Sequence, residues 1–173
     1  SIRESQARWA DRNGIQRQGR GGAPGTGLYA RSLEDNLFLP LSKRTVQAFR
    51  GADGGELDGS PCKMQALHSS SLLAANVFEY WGQGGCLPEL AQAMGIPSDG
   101  IAGIEFEKRL AHAENHRKEF PRRPNLDVHI GYSPGAPLDA VAIECKFSEA
   151  YSGRHSGLRP AYLGYPRLWE QLP

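Results

Sequence analysis

Two segments that alternate between apolar and polar residues constrain the fold of this chain most strongly. They are NLDVHIGY (125–132) and LDAVAIECKF (138–147), separated by the turn-forming string SPGAP. Such a pattern predicts a β-hairpin. If the loop runs from Pro134 to Pro137, the pairing places Asp127 directly opposite Glu144.

Alternation also predicts which side chains share a face of the hairpin, because successive residues of a strand point to opposite sides. The apolar face carries Leu126, Val128, Ile130, Val141, Ile143, Cys145 and Phe147, and the polar face carries Asp127, His129, Ala142, Glu144 and Lys146. A shift by one residue would bury the carboxylates, so the apolar face restricts the register. Shifts by two residues would keep the charged residues as diagonal neighbours.

Two carboxylates that face each other across a strand pair repel and destabilise it. A divalent cation between Asp127 and Glu144, with Lys146 nearby, is a physical reason for the arrangement, since Mg²⁺ prefers oxygen ligands. Such a metal polarises a phosphoryl oxygen and lowers the pKa of a bound water. We expect Lys146 to orient that water or to stabilise charge in the transition state.

A third strand is predicted from GIEFEKRL (103–110), where Ile104 and Phe106 share one face and Glu105 and Glu107 share the other. Pairing with the hairpin would bring another carboxylate towards the metal.

Helices precede these strands. Ser42 is a good N-cap for a helix ending near Phe49, and a longer helix is predicted within 64–81, started by Ser69 or Ser70. Its expected core stripe is Leu73, Val77 and Trp81, widened by Leu72 and Phe78. A short helix at 87–94 should end at Gly95. The resulting class is α/β (α+β), with a mixed central sheet flanked by helices.

The length of 173 residues suits a single domain, 1–173. Within it, 1–60 is expected to be an irregular extension, with a flexible Gly- and Arg-rich loop at 14–27. The chain lacks an apolar run long enough to cross a bilayer. Three cysteines without CxxC spacing favour neither disulfides nor zinc, so the cytoplasm is the default compartment.

Three further patterns carry weaker signals. The 14–27 loop lacks the Gly-Lys-Ser/Thr ending of a P-loop. The acidic loop with Asp53, Glu56 and Asp58 lacks EF-hand spacing and is interpreted as solvated. His112 and His116 are four positions apart, but they do not form HExxH, and a polar loop is favoured.

The Asp127 and Glu144-x-Lys146 pattern resembles that of the PD-(D/E)xK nuclease superfamily, which includes restriction endonucleases. The resemblance spans about 64–150 and implies a restriction-endonuclease-like core. It also implies that Asp127 and Glu144 bind Mg²⁺ (or Mn²⁺) and that Lys146 assists the water nucleophile. An additional acidic residue is expected upstream; Glu107 is preferred, with Glu105 and Glu79 as alternatives. Only the segment 147–173 follows Lys146, so the C-terminal end of the core is expected to be trimmed or truncated.

The expected activity is metal-dependent hydrolysis of nucleic acid, with DNA favoured, in restriction, repair or mobile-element biology. A nuclease-like module that binds without turnover is the alternative, and a metal hydrolase with another substrate is a third. Because the formal charge is only +1, phosphate contacts should come from local basic clusters. The candidates flank the site and are Arg117, Lys118, Arg122, Arg123 and Arg154. A homodimer is left open.

Overall fold

The computed structural model describes residues 2–25, 27–110 and 125–147. Within them the helices are α1 (Ile2–Arg12), α2 (Lys43–Gly51), α3 (Ser70–Gln83) and α4 (Leu87–Met94). The strands are β1 (Arg17–Gln18), β2 (Tyr29–Ala30), β3 (Ile101–Arg109), β4 (Asn125–Tyr132) and β5 (Ala140–Ile143). The combination of helices and antiparallel sheets confirms the predicted α+β class.

The larger sheet has the order β3-β4-β5, and both of its strand pairs are antiparallel. The predicted hairpin register is confirmed, because Val128 pairs with Ile143 and Ile130 pairs with Val141. However, β5 ends at Ile143, so the ladder is shorter than the segment 138–147 that alternation had indicated. Glu144 and Lys146 therefore follow the strand rather than lying within it.

The apolar face of this sheet forms the core together with three helices. Val128 and Ile130 of the central strand are fully buried, and Phe106 of β3 meets Phe49 of α2 with ring centroids 5.6 Å apart. α3 and α4 also contact the sheet. Burying each large side chain contributes about 1.5–3 kcal/mol, so this interface holds the sheet's apolar face inward and its polar face outward.

The predicted ends of the helices are confirmed by their capping contacts. The Ser42 hydroxyl accepts the Thr45 N–H at the start of α2, and the Ser69 hydroxyl accepts the Leu72 N–H at the start of α3. Gly95 ends α4 in the left-handed region at φ 68°, a conformation that glycine adopts without steric strain.

The predicted core stripe of α3 is partly wrong. Val77, expected at its centre, is 41% exposed, whereas Leu72 and Phe78, expected at its margin, are buried together with Ala75 and Glu79. The helix is apolar on nearly all sides, so apolar spacing alone did not identify the face that meets the sheet. A charged residue, Glu79, lies on the buried side because its neighbours supply hydrogen-bond donors.

The segment 1–60 contains more regular structure than the sequence predicted. α1 and the β1–β2 pair lie in this region, and Arg17 of β1 pairs with Ala30 of β2. The loop between them is held by hydrogen bonds, including Gly19 N–H to Ala23 O at 2.8 Å and Gly25 N–H to Arg17 O at 2.7 Å.

Candidate active site

Asp127 and the segment after β5 are joined by a direct hydrogen bond. The Cys145 N–H donates to Asp127 Oδ2 at 2.6 Å, continuing the β4–β5 association beyond the last paired residues. The Cys145 side chain is buried in the core, and its neighbours Glu144 and Lys146 are exposed. The carboxylate of Asp127 thus fixes the backbone that carries the other two predicted site residues.

Glu107 lies on the other side of Asp127. The β3–β4 register pairs the residues before and after it with β4 partners, namely Phe106 with Val128 and Lys108 with Leu126. The same register brings Glu107 across from Asp127. Glu107, Asp127 and Glu144 therefore lie in a row across three adjacent backbone segments, on the polar side of the sheet.

Glu107 carries two signs of an unfavourable local environment. Its backbone has φ 50°, a region that residues other than glycine adopt at a cost and that occurs often at functional sites. Its pKa is raised from 4.5 to about 7, first by burial and then by the negative charges of Asp127, Glu56 and Glu144. The Asn125 amide donates a hydrogen bond to its carboxylate.

The Cys145 thiol experiences the same negative charge. Its pKa is raised to about 11, mainly by burial and also by the carboxylates of Asp127 and Glu144. Lys146 acts in the opposite direction and forms an ion pair with Glu144. Because the side chains of Lys146 and Glu144 are both about half exposed, this pair contributes little to stability.

The other two acidic candidates are engaged elsewhere. Glu105 forms ion pairs with Arg44 and Lys108, which lower its pKa. Glu79 is buried, and its carboxylate accepts hydrogen bonds from the Ser42 N–H and the Thr45 hydroxyl. These contacts favour Glu107 as the additional acidic residue, since the charges that act on its carboxylate are mostly negative.

Glu56 is an acidic neighbour that sequence reasoning missed. It lies in the loop interpreted as solvated, yet its charge acts on Glu107 more strongly than that of Glu144 does. The loop is fastened to the end of β3 by Arg109, which donates to Gly51 O and Asp53 Oδ1, both at 2.6 Å. The local sequence does not predict the approach of Glu56 to Glu107, because that approach depends on how α2 packs against β3.

The donor chemistry of the row fits a hard divalent cation. Carboxylate oxygens are the ligands that Mg²⁺ and Mn²⁺ prefer, and a cation would relieve the repulsion that raises the Glu107 pKa. Among the described residues, however, no three His, Cys, Asp or Glu side chains converge closely enough to hold a metal ion. The row therefore supplies suitable ligand types and a negative field, but not a ready coordination geometry.

The predicted phosphate contacts fall outside the described residues: Arg117, Lys118, Arg122, Arg123 and Arg154. His112 and His116 lie outside them as well. No helix in the described ranges is long and apolar enough to cross a membrane.

Comparison with protein families gives a match over almost the entire chain. The model of REase-ARP, described as "Restriction Endonuclease associating with ARP", matches residues 3–170. The chain belongs to this family. Neither the curated proteins nor the solved structures gave a match. Membership in REase-ARP indicates a nuclease, and the acidic row with Lys146 is the feature of the described structure that suits such chemistry.

Proposed function

We propose that this REase-ARP member is a nuclease that uses Mg²⁺ or Mn²⁺ to hydrolyse phosphodiester bonds of DNA. Asp127 and Glu144 are the proposed metal ligands, Glu107 the additional acidic residue, and Lys146 the cation at the reacting phosphate. The observation that carries the proposal is the row of three carboxylates across the sheet, whose mutual repulsion contributes to a Glu107 pKa of about 7. The spacing of Asp127 and Glu144-x-Lys146 supports membership of the PD-(D/E)xK superfamily.

Asp127, Glu144 and Lys146 have distinct tasks in this scheme. A bound divalent cation supplies Lewis acidity and lowers the pKa of water. Asp127 and Glu144 would hold it through their carboxylate oxygens, and Asp127 also keeps the 144–146 backbone in place by accepting the Cys145 N–H. Lys146, now paired with Glu144, exchanges that partner for a phosphoryl oxygen or the attacking water. Its positive charge then stabilises the negative charge that develops in the transition state.

A second candidate is a nuclease-like module that binds DNA without cleaving it. The observation in its favour is that no three potential ligands converge among the residues that the structure describes. A binding module would retain the fold and the phosphate contacts without needing the ligands to close around a cation.

Cleavage assays separate the two candidates. Purified protein is incubated with single- and double-stranded DNA and RNA in Mg²⁺, Mn²⁺ or EDTA, beside Asp127→Asn, Lys146→Ala and the exposed control Glu89→Gln. We expect metal-dependent cleavage of DNA by the wild type and Glu89→Gln, and its loss in the other two variants. Binding without any cleavage would establish the second candidate, and cleavage that survives both site substitutions would reject the assigned residues.

The proposed compartment remains the cytoplasm. Cys62, Cys86 and Cys145 all have free thiols, which is compatible with a reducing environment.

A further inference from the structure

Positive charge is concentrated at the start of the chain. The segment 1–31 contains six arginines, no lysine and two acidic side chains, which gives it a formal charge of +4. Since the whole chain carries +1, the segment 32–173 carries −3. The part of the chain with the acidic row therefore carries a net negative charge, which opposes the approach of a polyanion.

α1 displays two of these arginines side by side. It is anchored by buried Ala10 and by the Gln6 amide, which donates to Leu67 O at 2.9 Å. Arg8 and Arg12 are one turn apart on the exposed side. Arg8 donates to the Ser5 hydroxyl and Arg12 to the Arg8 carbonyl, and no acidic side chain among the described residues forms an ion pair with either.

The loop beside α1 is built around a third arginine. Arg17 donates two hydrogen bonds to Asp11, at 2.7 and 2.9 Å, and one to Gly27 O at 2.6 Å. Gly27, at φ 101°, passes so close to Gln18 O that a Cβ atom would lie 2.7 Å from it. These contacts make Arg17 a structural residue that fixes the loop.

A surface pocket of about 680 Å³ lies between the end of α1 and this loop. Arg31 lies on its wall, held by the Gln16 side chain at 3.0 Å rather than by an acid. Arg20 is exposed in the turn closed by Gly22 N–H to Gly19 O. Arg8, Arg12, Arg20 and Arg31 are exposed on α1 and on the segment that follows it, and we call them the arginine surface.

α1, which carries Arg8 and Arg12, shares a groove with the residue that follows Lys146. Ile2 and Trp9 of α1 line a groove of about 590 Å³ that is also lined by Leu73 and Phe147. Phe147 directly follows Lys146 in the chain. The exposed apolar side chains of α1 belong to this groove, whereas Arg8 and Arg12 are not among the residues that line it.

We propose that the arginine surface binds the phosphate backbone of the duplex DNA that is cleaved. The inference rests on the proposed nuclease function and adds the surface that holds the substrate. Guanidinium groups form planar, paired hydrogen bonds with phosphate oxygens, which favours DNA as the occupant of an all-arginine surface. Such contacts position the duplex and carry no base specificity.

The test removes two charges from this surface and two from elsewhere. Arg8→Gln/Arg12→Gln is compared with Lys43→Gln/Arg50→Gln, whose residues are exposed on α2. Glutamine preserves helix propensity, so both variants should fold, as thermal melts by circular dichroism will verify. An Arg20→Gln variant tests the loop independently of α1. Binding of fluorescent duplex DNA is measured over a series of salt concentrations in EDTA, which also prevents cleavage.

We expect the α1 variant to bind roughly 10- to 100-fold more weakly than wild type, with a salt slope reduced by about 2. The control should change much less. The inference would be overturned if the two double variants had the same DNA affinity and the same salt slope. It would also be overturned if the protein bound phosphatidylserine vesicles as tightly as duplex DNA and this binding depended equally on Arg8 and Arg12. If the α1 variant cleaves DNA as fast as the wild type does, the arginine surface is rejected but the nuclease function is not. If the protein binds DNA through these arginines but does not cleave it, the nuclease function is rejected but the arginine surface is not.

Discussion

Replacing Glu107 by glutamine should make the protein more stable at alkaline pH. Burial and the charges of Asp127, Glu56 and Glu144 raise the Glu107 pKa from 4.5 to about 7. The folded protein therefore binds this proton more tightly than the unfolded chain does. Its stability falls as pH rises from about 4.5 through about 7, because Glu107 must then ionise in an unfavourable place. Glutamine has no proton to lose, and it still accepts a hydrogen bond from Asn125.

The magnitude follows from the difference between the two pKa values. Each pKa unit corresponds to about 1.4 kcal/mol, which sets a limit of about 3 kcal/mol at pH 8.5. Glu107 is only half-buried, and solvent screening reduces the expected gain to about 1–2 kcal/mol. Near pH 4.5 half of the unfolded chains are protonated at this residue, so the gain should not exceed about 0.4 kcal/mol.

Urea unfolding in EDTA at both pH values measures these gains. Glu105→Gln is the matched control on the same strand and should have the opposite sign. Lys108 and Arg44 lower the Glu105 pKa, so its loss removes stability at neutral and alkaline pH. A gain for Glu107→Gln that is equal at the two pH values, or a loss at pH 8.5, would refute the electrostatic explanation.

The same variant should lose its response to metal. On the proposed function, millimolar Mg²⁺ at pH 8.5 is expected to raise the unfolding free energy of the wild type, because a cation that binds only the folded state stabilises it. Mg²⁺ should raise the unfolding free energy of Glu107→Gln much less than that of the wild type. Cleavage by the variant should also be lower than cleavage by the wild type. A variant that is more stable than wild type yet less active would identify Glu107 as a functional rather than a structural carboxylate.

Four further substitutions test other parts of the structure. Lys146→Ala should lower kcat about 10²- to 10³-fold with little change in DNA affinity, measured by single-turnover cleavage; an equal loss of affinity would make Lys146 a binding residue instead. Glu79→Ala should destabilise the fold by about 2–4 kcal/mol in urea unfolding, because the Ser42 N–H and the Thr45 hydroxyl lose their buried acceptor; a loss below about 1 kcal/mol would contradict this. Phe78→Ala should cost about 3–4 kcal/mol, whereas Val77→Ala should stay within about 0.5 kcal/mol, and the reverse order would restore the core stripe expected from the sequence.

The hairpin was predictable because its constraint is local. Alternation of the large apolar residues on both strands favoured a register that places them on one face, and the pairs Val128–Ile143 and Ile130–Val141 confirm it. The end of β5 was not predictable, because the Cys145 N–H donates to the Asp127 side chain instead of to a backbone carbonyl of the strand ladder.

Other features depend on contacts between distant parts of the chain. α1 has a single fully buried residue, Ala10, so it lacks the apolar stripe by which a helix is recognised. The approach of Glu56 to Glu107 depends on Arg109 holding the acidic loop. In both cases the deciding partner lies far along the sequence, where periodicity carries no information.

The hydrogen bond from the Cys145 N–H to Asp127 has a consequence for how relatives of this protein lose activity. A change at Asp127 removes a proposed ligand and at the same time releases the backbone of residues 144–146, whereas a change at Lys146 affects an exposed side chain and its exposed ion pair with Glu144. Decay of activity through Lys146 therefore leaves the fold intact and is the less damaging route. We expect inactive relatives to keep the aspartate after the lysine is gone, and an alignment in which the aspartate is lost first would contradict this.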